Sequence, residues 1–542
     1  MSKMAHKRPQ TCNGAKMFKK NERHIQAKIF GISTILPQEY VKGIEESEEQ
    51  AFYELVFCNI REESFACLYS QKYSRPNSPI NCLVGAILLQ HRNHWTVEQL
   101  FKNIGYNLLT KTALGLSTFD EMSFNEATFF NFQNRLNQHF VTTGNNLLEH
   151  VFDSLTKEQL KRLGIKTNIQ RTDSFQAASN IRRYSRLQLL VEMLIRVHRV
   201  LSDEDKKTYD ELFVPYVRKT SGQFIYRLKQ GEMQKQLEAI GTVYRRIHSE
   251  IAPRYNEVEI FKIFERVFEE HFAVVEEKII VKQTTELTSD SLQSPDDIDA
   301  TYHKKRNVSY RGQSVNIVET CNPGNPVNLI TDISVNANNT DDSIVLHERL
   351  ETLKQKTPDI EEIHHDGAYG SEGNDTKCSK LSITEIQTAI RGKESAVDIT
   401  IEQKEDSFCV SCPSQTVIAV KRRKRYRAEF SEEGCASCSS RERCNLIKAR
   451  HGRRYYFSEE DYLRKKRARN IYDIPPERRA LRANVEATVS EFKRKMDDDK
   501  LKVRGHFKTA IFAFAMGISI NFGRVHRFLL SQREVEIRHA CV

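Results

Sequence analysis

Three acidic residues far apart in the chain, Asp173, Asp366 and Glu486, stand where a carboxylate can be held in place. Asp173 closes the alternating run Lys166-Thr-Asn-Ile-Gln-Arg-Thr, and Asp366 lies between Ile363-His-His and Gly367-Ala-Tyr-Gly. Each therefore ends an expected strand, where the crevice of an α/β sheet usually opens. Glu486 falls on a helix expected over 475–497 and opened by Pro475-Pro476. Arg482, Glu486 and Lys493 stand at i, i+4 and i+11, which sets them on one face of a 3.6-residue helix. Acids converging from separate elements can hold hard Mg²⁺ or Mn²⁺, which take oxygen ligands. Two such ions about 3.5–4 Å apart activate a nucleophile and stabilise the leaving oxygen of a phosphodiester. In that chemistry Glu486 binds metal while Arg482 and Lys493 contact phosphate. The same residues also fit plainer roles: a surface Asp capping the next turn, and a helix laced by i,i+4 ion pairs.

A second constellation is made of sulfur. Five of the twelve cysteines lie between 409 and 444, as Cys409-x2-Cys412, then Cys435-x2-Cys438, then Cys444 six residues on. Paired Cys-x2-Cys knuckles read as a zinc site, although the 22 residues between them slightly exceed the usual gap. Cys409, Cys412, Cys435 and Cys438 form the expected set, with Cys444 as a possible replacement for one of them. Four thiolates leave no open position, so the role would be structural. Reduced, unliganded thiols are the plainer alternative. The other seven cysteines are scattered, which disfavours a disulfide framework.

The elements that must position these groups follow from periodicity. Residues 1–50 are polar and basic, and read as an extended arm. Residues 51–160 read as short helices: Ser78 to His91 is apolar at helical spacing, Thr96 with Gln99 makes a capping box, and Ser123 or Asn125 caps a helix through Phe129, Phe132 and Leu136. Short helices with tight turns suit a DNA-binding domain, and equally a plain bundle. Residues 161–390 with 471–535 alternate strands and helices, interrupted by a helical, charged insertion and linker over 183–295. The runs SVNIVETC and VNLITDISV, separated by Asn322-Pro-Gly-Asn, signal a hairpin. A helix is expected from Ser343 to Leu353, strands over 360–365 and 383–390, and a strongly apolar final helix over 507–530. Residues 391–470 form a Cys-rich, basic insertion.

Composition bounds the class. The 542 residues are 39% hydrophobic and 29% charged, as in soluble multidomain proteins. No apolar run is long enough to span a bilayer, and the first residues lack a secretory h-region, so a cytoplasmic location is expected. A net charge of +11 favours a polyanionic partner. Basic runs at Lys421-Arg422-Arg423-Lys424-Arg425 and Arg464-Lys-Lys-Arg467 are candidate nucleic-acid contacts, or solvated faces. Walker and Rossmann fingerprints are missing, so no nucleotide cofactor is implied. His364 and His365 are better structural than as ligands of a hard ion, and Trp95 with Phe129, Phe130 and Phe132 better core than base-stacking groups.

Over most of its length the sequence resembles the DDE transposases of bacterial insertion sequences, specifically the insertion-sequence 1182 group. The resemblance rests on Phe52 to His91 and the Phe129–Leu136 helix, on Arg171-Thr-Asp173-Ser174 with Ser179-Asn-Ile-Arg182, and on Asp297-Ile-Asp-Ala-Thr301 with Tyr310-Arg-Gly312 and Val315 to Thr320. It continues through His365-Asp366-Gly-Ala-Tyr-Gly-Ser371 and Arg482-x3-Glu486-x6-Lys493. The family signature has a Tyr three residues before that Arg, where this chain has Arg479. The resemblance implies an RNase H-like mixed-sheet core with an all-helical N-terminal DNA-binding domain. It makes Asp173, Asp366 and Glu486 the catalytic acids holding two Mg²⁺ or Mn²⁺ ions, with Arg482 and Lys493 on DNA; the basic run beside the cysteine knuckles adds Lys421, Arg422, Arg423 and Arg425 as expected DNA contacts, or a solvated loop. Asp332 then stands as structural, because the Gly-Tyr context follows Asp366, and Glu491 as a weaker third ligand. The implied reaction cleaves at transposon ends and joins the freed 3′-OH to target DNA. The implied partners are the terminal inverted repeats and target DNA in double-stranded form, with a homodimer assembled on them near the nucleoid. A catalytically inactive DNA-binding regulator derived from such an enzyme is the alternative.

Overall fold

A computed structural model describes residues 18–540 apart from 27, 29–30, 70–75, 227, 229–230, 277, 306, 389–396, 405–406 and 424. Residues 1–17 of the expected basic arm lie outside the described residues, and its later part is not extended but carries helices Ile32–Ile35 and Gln38–Glu45 and the start of Glu48–Leu55. The fold is mixed α/β around a mixed sheet. Its strands are Ile169–Ala178, Thr301–Lys305, Val308–Thr320, Ile330–Ala337, Glu362–His365 and Thr384–Gln387. Val308–Thr320 is the long strand. It pairs antiparallel with Thr301–Lys305 and then Ile330–Ala337 along one edge, and antiparallel with Ile169–Ala178 along the other. Beyond Ile169–Ala178 come Glu362–His365 and Thr384–Gln387, both in parallel register.

Both sheet faces are covered, which is why the strand residues from Gly312 to Thr320 are buried without a break. Alternation sends Ile317 to one face and Val318 to the other. Ile317 joins a core shared with the final helix His506–Ala540 and helices Ile80–Arg92 and Leu147–Arg162. Val318 joins Leu346, Leu350 and Leu353 of helix Asp342–Lys356. The final helix is buried without a break from Ala510 to Phe522, nearly all of it apolar, because it is packed on all sides. Its Gly517 permits that approach, since a Cβ there would lie 2.3 Å from Ile333 Cδ1. The helices of 51–160 thus pack into one core with the sheet, and their local signals hold. Thr96 and Gln99 close a capping box, and Asn125 caps Glu126–Thr143.

The segment 183–295 carries its own buried cluster, built on helices Arg186–Val200, Met233–Arg246 and Glu259–His271. It also contains a hairpin, Phe272–Val275 with Lys278–Val281, which the helical reading did not foresee. The Cys-rich segment folds as a second six-stranded sheet, ordered Ile447–Ala449, Gly452–Phe457, Arg425–Ser431, Thr416–Arg422, Ser407–Ser411 and Thr400–Lys404.

Two readings need correction. Asp173 does not end its strand: pairing with Val308–Thr320 continues to Ala178, and Asp173 sits opposite Ile317. The expected helix over 475–497 is broken at Asn484 into Pro476–Ala483 and Val485–Lys493. Arg482 and Lys493 are therefore not on one continuous helical face. No helix among the described residues is long and apolar enough to cross a membrane.

Candidate active site

The parallel register that sets Arg171 beside His364 reaches Asp173 and Asp366 two residues further along both chains. Alternation returns both side chains to one face of the sheet. His364 and His365 are wholly buried. His365 lies with Nδ1 2.8 Å from the Asp366 carbonyl and Nε2 2.8 Å from Glu385 Oε1, a scaffold role beside the acid. Asp366 Oδ1 accepts from the Ala368 N–H at 2.8 Å, which fixes the turn after the strand. The following Tyr369 is buried and donates its hydroxyl to Asn316.

Arg482 joins the three acids. Its Nη2 lies 2.8 Å from Asp173 Oδ2 and 3.8 Å from Asp366 Oδ2, while Nη1 lies 3.2 Å from Glu486 Oε1. Residues 173, 366 and 486 thus converge on one guanidinium. Burial pushes the carboxyl of Asp173 up to about 6, against the pull of Arg482. Three carboxylates around one cation leave the cluster short of positive charge. Hard oxygen donors with that deficit fit Mg²⁺ or Mn²⁺, and Asp173, Asp366 and Glu486 are the residues that would hold them. Among the described residues no three His, Cys, Asp or Glu side chains form a ready-made ligand group. Arg482 stands between the acids, and the Glu486 side chain is 69% exposed.

The remaining candidates separate cleanly. Lys493 pairs with Asp499 at 3.0 Å instead of facing the acids. Glu491 lies 3.3 Å from Arg524. Asp332 is fully buried and held by Arg349 at 2.5 Å and Lys356 at 2.9 Å, which holds its carboxyl below the usual range despite burial. Lys421, Arg422, Arg423 and Arg425 lie at the tip of the hairpin Thr416–Arg422/Arg425–Ser431, with Arg422 across from Arg425 and Lys421 over the Tyr426 ring. Cys412, Cys435, Cys438 and Cys444 line one cavity of about 20 Å³, and Cys409 is not in its wall.

Two features escaped sequence reasoning. Asp342, at the start of helix Asp342–Lys356, lies near Ser174 and feels the charge of Asp366; burial raises its carboxyl. No local pattern distinguishes it from an ordinary first-turn acid. The second is a buried network on Glu319. Its Oε1 accepts from Arg171, and its Oε2 accepts from Thr488 and Arg524. Arg171 also donates to the Leu481 carbonyl at 2.6 Å, immediately before Arg482. The network ties the strand of Asp173 to both helices flanking Asn484, the second of which carries Glu486. A charged residue closing the apolar run Val315-Asn-Ile-Val318 was the available signal.

Residues 405–526 match a family described as the transposase DDE domain. The matched stretch contains Arg482, Glu486 and Lys493, whereas Asp173 and Asp366 lie upstream of it. No curated protein and no solved structure matches the chain. Over these residues the chain is similar to transposase DDE domains, which supports reading it as a DDE transposase.

Proposed function

We propose that the protein is a DNA transposase of the insertion-sequence 1182 type that cleaves at transposon ends and transfers the freed strand into target DNA. The observation that carries this reading is the convergence of Asp173, Asp366 and Glu486 on the single guanidinium of Arg482. The sheet supports an RNase H-like core: two antiparallel neighbours lead to the strand of Asp173, and two parallel ones lie beyond it.

The bound ions supply nucleophile activation and charge compensation at the leaving oxygen. The chain's own part is positional. Asp173 and Asp366 are fixed by adjacent strands, so their spacing is set by the sheet. Glu486 approaches from a helix, with its side chain exposed. Arg482 compensates the acids while DNA is absent, then turns its guanidinium to a phosphate, which it can grip in bidentate fashion. Glu319 and Arg171 hold the backbone of that helix pair against the sheet while this exchange occurs. The partners are the terminal inverted repeats and target DNA, bound as a homodimer at the nucleoid, with the basic hairpin 421–425 on the phosphate backbone. A structural zinc sits in the Cys-rich insertion.

The test is nicking of a duplex carrying the element's end, with Mg²⁺ or Mn²⁺, by wild type and Asp366→Asn. Metal-dependent cleavage by wild type and none by the variant is expected. Equal DNA binding with no cleavage by either would establish the alternative, a DNA-binding regulator without catalysis. Cleavage without preference for an inverted repeat would mark a general nuclease.

A further inference from the structure

We propose that the zinc ligands are Cys412, Cys435, Cys438 and Cys444, that Cys409 lies outside the set, and that Arg453 supplies the counter-charge. This rests on the structural zinc of the preceding reading and fixes which side chains hold it.

The strand Ser407–Ser411 decides the case of Cys409. Phe408 and Val410 are buried in the core of the second sheet, so Cys409 and Ser411 point from the opposite face. Cys435 belongs to that same core, with Cys412 and Cys444 packed against it. Cys412 follows the strand's end and its N–H bonds the Gln415 carbonyl at 2.8 Å, a turn that frees the side chain from the strand's alternation. Cys412, Cys435, Cys438 and Cys444 then share the wall of one cavity of about 20 Å³ with Phe430 and Leu446. Soft sulfur donors around a small, apolar-walled space suit Zn²⁺. Among the described residues no three thiols stand close enough to ligate one ion as they are, so the inference concerns which of them the fold sets around one space.

Arg453 is the independent observation. It is buried in the same wall, donating Nη1 to the Cys444 carbonyl at 2.6 Å and Nη2 to the Arg441 carbonyl at 3.0 Å. Among the described residues no carboxylate pairs with it. A buried guanidinium without an anion is costly. Four thiolates and one Zn²⁺ make a centre of net negative charge, which provides that anion. The same two hydrogen bonds hold the backbone at Arg441 and at Cys444.

The experiment uses the full chain, with zinc measured per protein by mass spectrometry. One zinc is expected in wild type and in Cys409→Ser, and marked loss in Cys444→Ser. Alkylation mapping of wild type before and after chelation needs no variant. Chelation should expose Cys412, Cys435, Cys438 and Cys444 while leaving the rate at Cys409 unchanged. Arg453→Met should weaken zinc retention by about tenfold or more. Zinc-dependent protection of Cys409, or zinc kept by Cys444→Ser and lost by Cys409→Ser, would overturn the ligand set. Wild type free of zinc would overturn the metal reading itself, leaving DNA cleavage as a separate question. Unchanged retention in Arg453→Met would remove its role.

Discussion

Arg482 places Nη2 2.8 Å from Asp173 Oδ2, so a guanidinium stands where the proposed chemistry needs divalent cations. The pair is 17% and 15% exposed at its side chains, and water screens it only partly. A cation already seated there competes with metal. Arg482→Gln should therefore bind Mn²⁺ more tightly, by about tenfold for a lost charge pair of roughly 1.4 kcal/mol. Cleavage should nonetheless fall, because the phosphate grip is lost. Calorimetric titration with Mn²⁺, run beside a nicking assay, reads both. Weaker metal binding in Arg482→Gln would show that the arginine supports the metal site rather than competing for it.

Glu486 and Glu491 lie five residues apart in one helix, yet their partners differ. Glu486 meets Arg482 among the acids, whereas Glu491 meets Arg524. Glu486→Gln should abolish cleavage, by roughly a thousandfold or more if a metal ligand is lost. Glu491→Gln should lower it less than about threefold, in keeping with a partly exposed ion pair. Parallel nicking assays decide. Equal losses would require a different third acid.

The carboxyl of Asp173 is pushed up to about 6 from an ordinary value near 3.8. An acid with a raised folded value binds protons more readily folded than unfolded. Between about pH 4 and 6 its contribution to stability is therefore lost as pH rises, the reverse of an Asp whose ion pair outweighs its burial. Divalent metal binds the deprotonated form and should reverse the trend. Thermal unfolding without metal should show Asp173→Asn gaining on wild type between about pH 4 and pH 6, with Mg²⁺ narrowing the gap. A wild type that gains on the variant as pH rises in metal-free buffer would contradict the buried, proton-seeking acid.

Legibility divides along local and non-local lines. The capping box at Thr96 and Gln99 was readable because its partners are three residues apart. The convergence of Asp173 and Asp366 depends on strands separated by nearly two hundred residues; their places near strand ends made each a candidate, and resemblance joined them. Spacing placed Arg482 and Lys493 on one face, and the break at Asn484 undid that while sparing the contact of Arg482 with Glu486. Cys444 was visible as a spare cysteine, but the side of the strand facing the core had to be seen before Cys409 could be set apart from it.

Glu319 is wholly buried between Arg171, Thr488 and Arg524. Glu319→Gln removes one charge, leaving Arg171 without its anion and Arg524 with Glu491 alone. The expected cost is about 3–5 kcal/mol, as for a broken buried pair. It should appear as a lowered urea midpoint at unchanged slope. Because Arg171 also holds the Leu481 carbonyl, cleavage should fall even where the variant remains folded. A variant of full stability would show that the network is replaceable by neutral hydrogen bonds.

The hairpin carrying Arg422, Arg423 and Arg425 presents exposed guanidinium groups at its tip, and none of the three meets a carboxylate among the described residues. Arg427 and Arg454 of the same sheet instead pair with Glu429. The tip therefore concentrates charge on this sheet to offer a phosphate backbone. Each phosphate contact contributes about 0.9 to the slope of log affinity against log salt on duplex DNA. Replacing all three by Gln should reduce that slope by about 2 to 3, with little change in stability because the side chains are solvated. Fluorescence anisotropy on duplex DNA at several salt concentrations measures it. An unaltered slope would assign the tip to solvent and shift DNA contact to the basic helix Glu459–Asp473, whose Arg467 pairs with Asp375 but whose Arg464 and Lys466 are exposed.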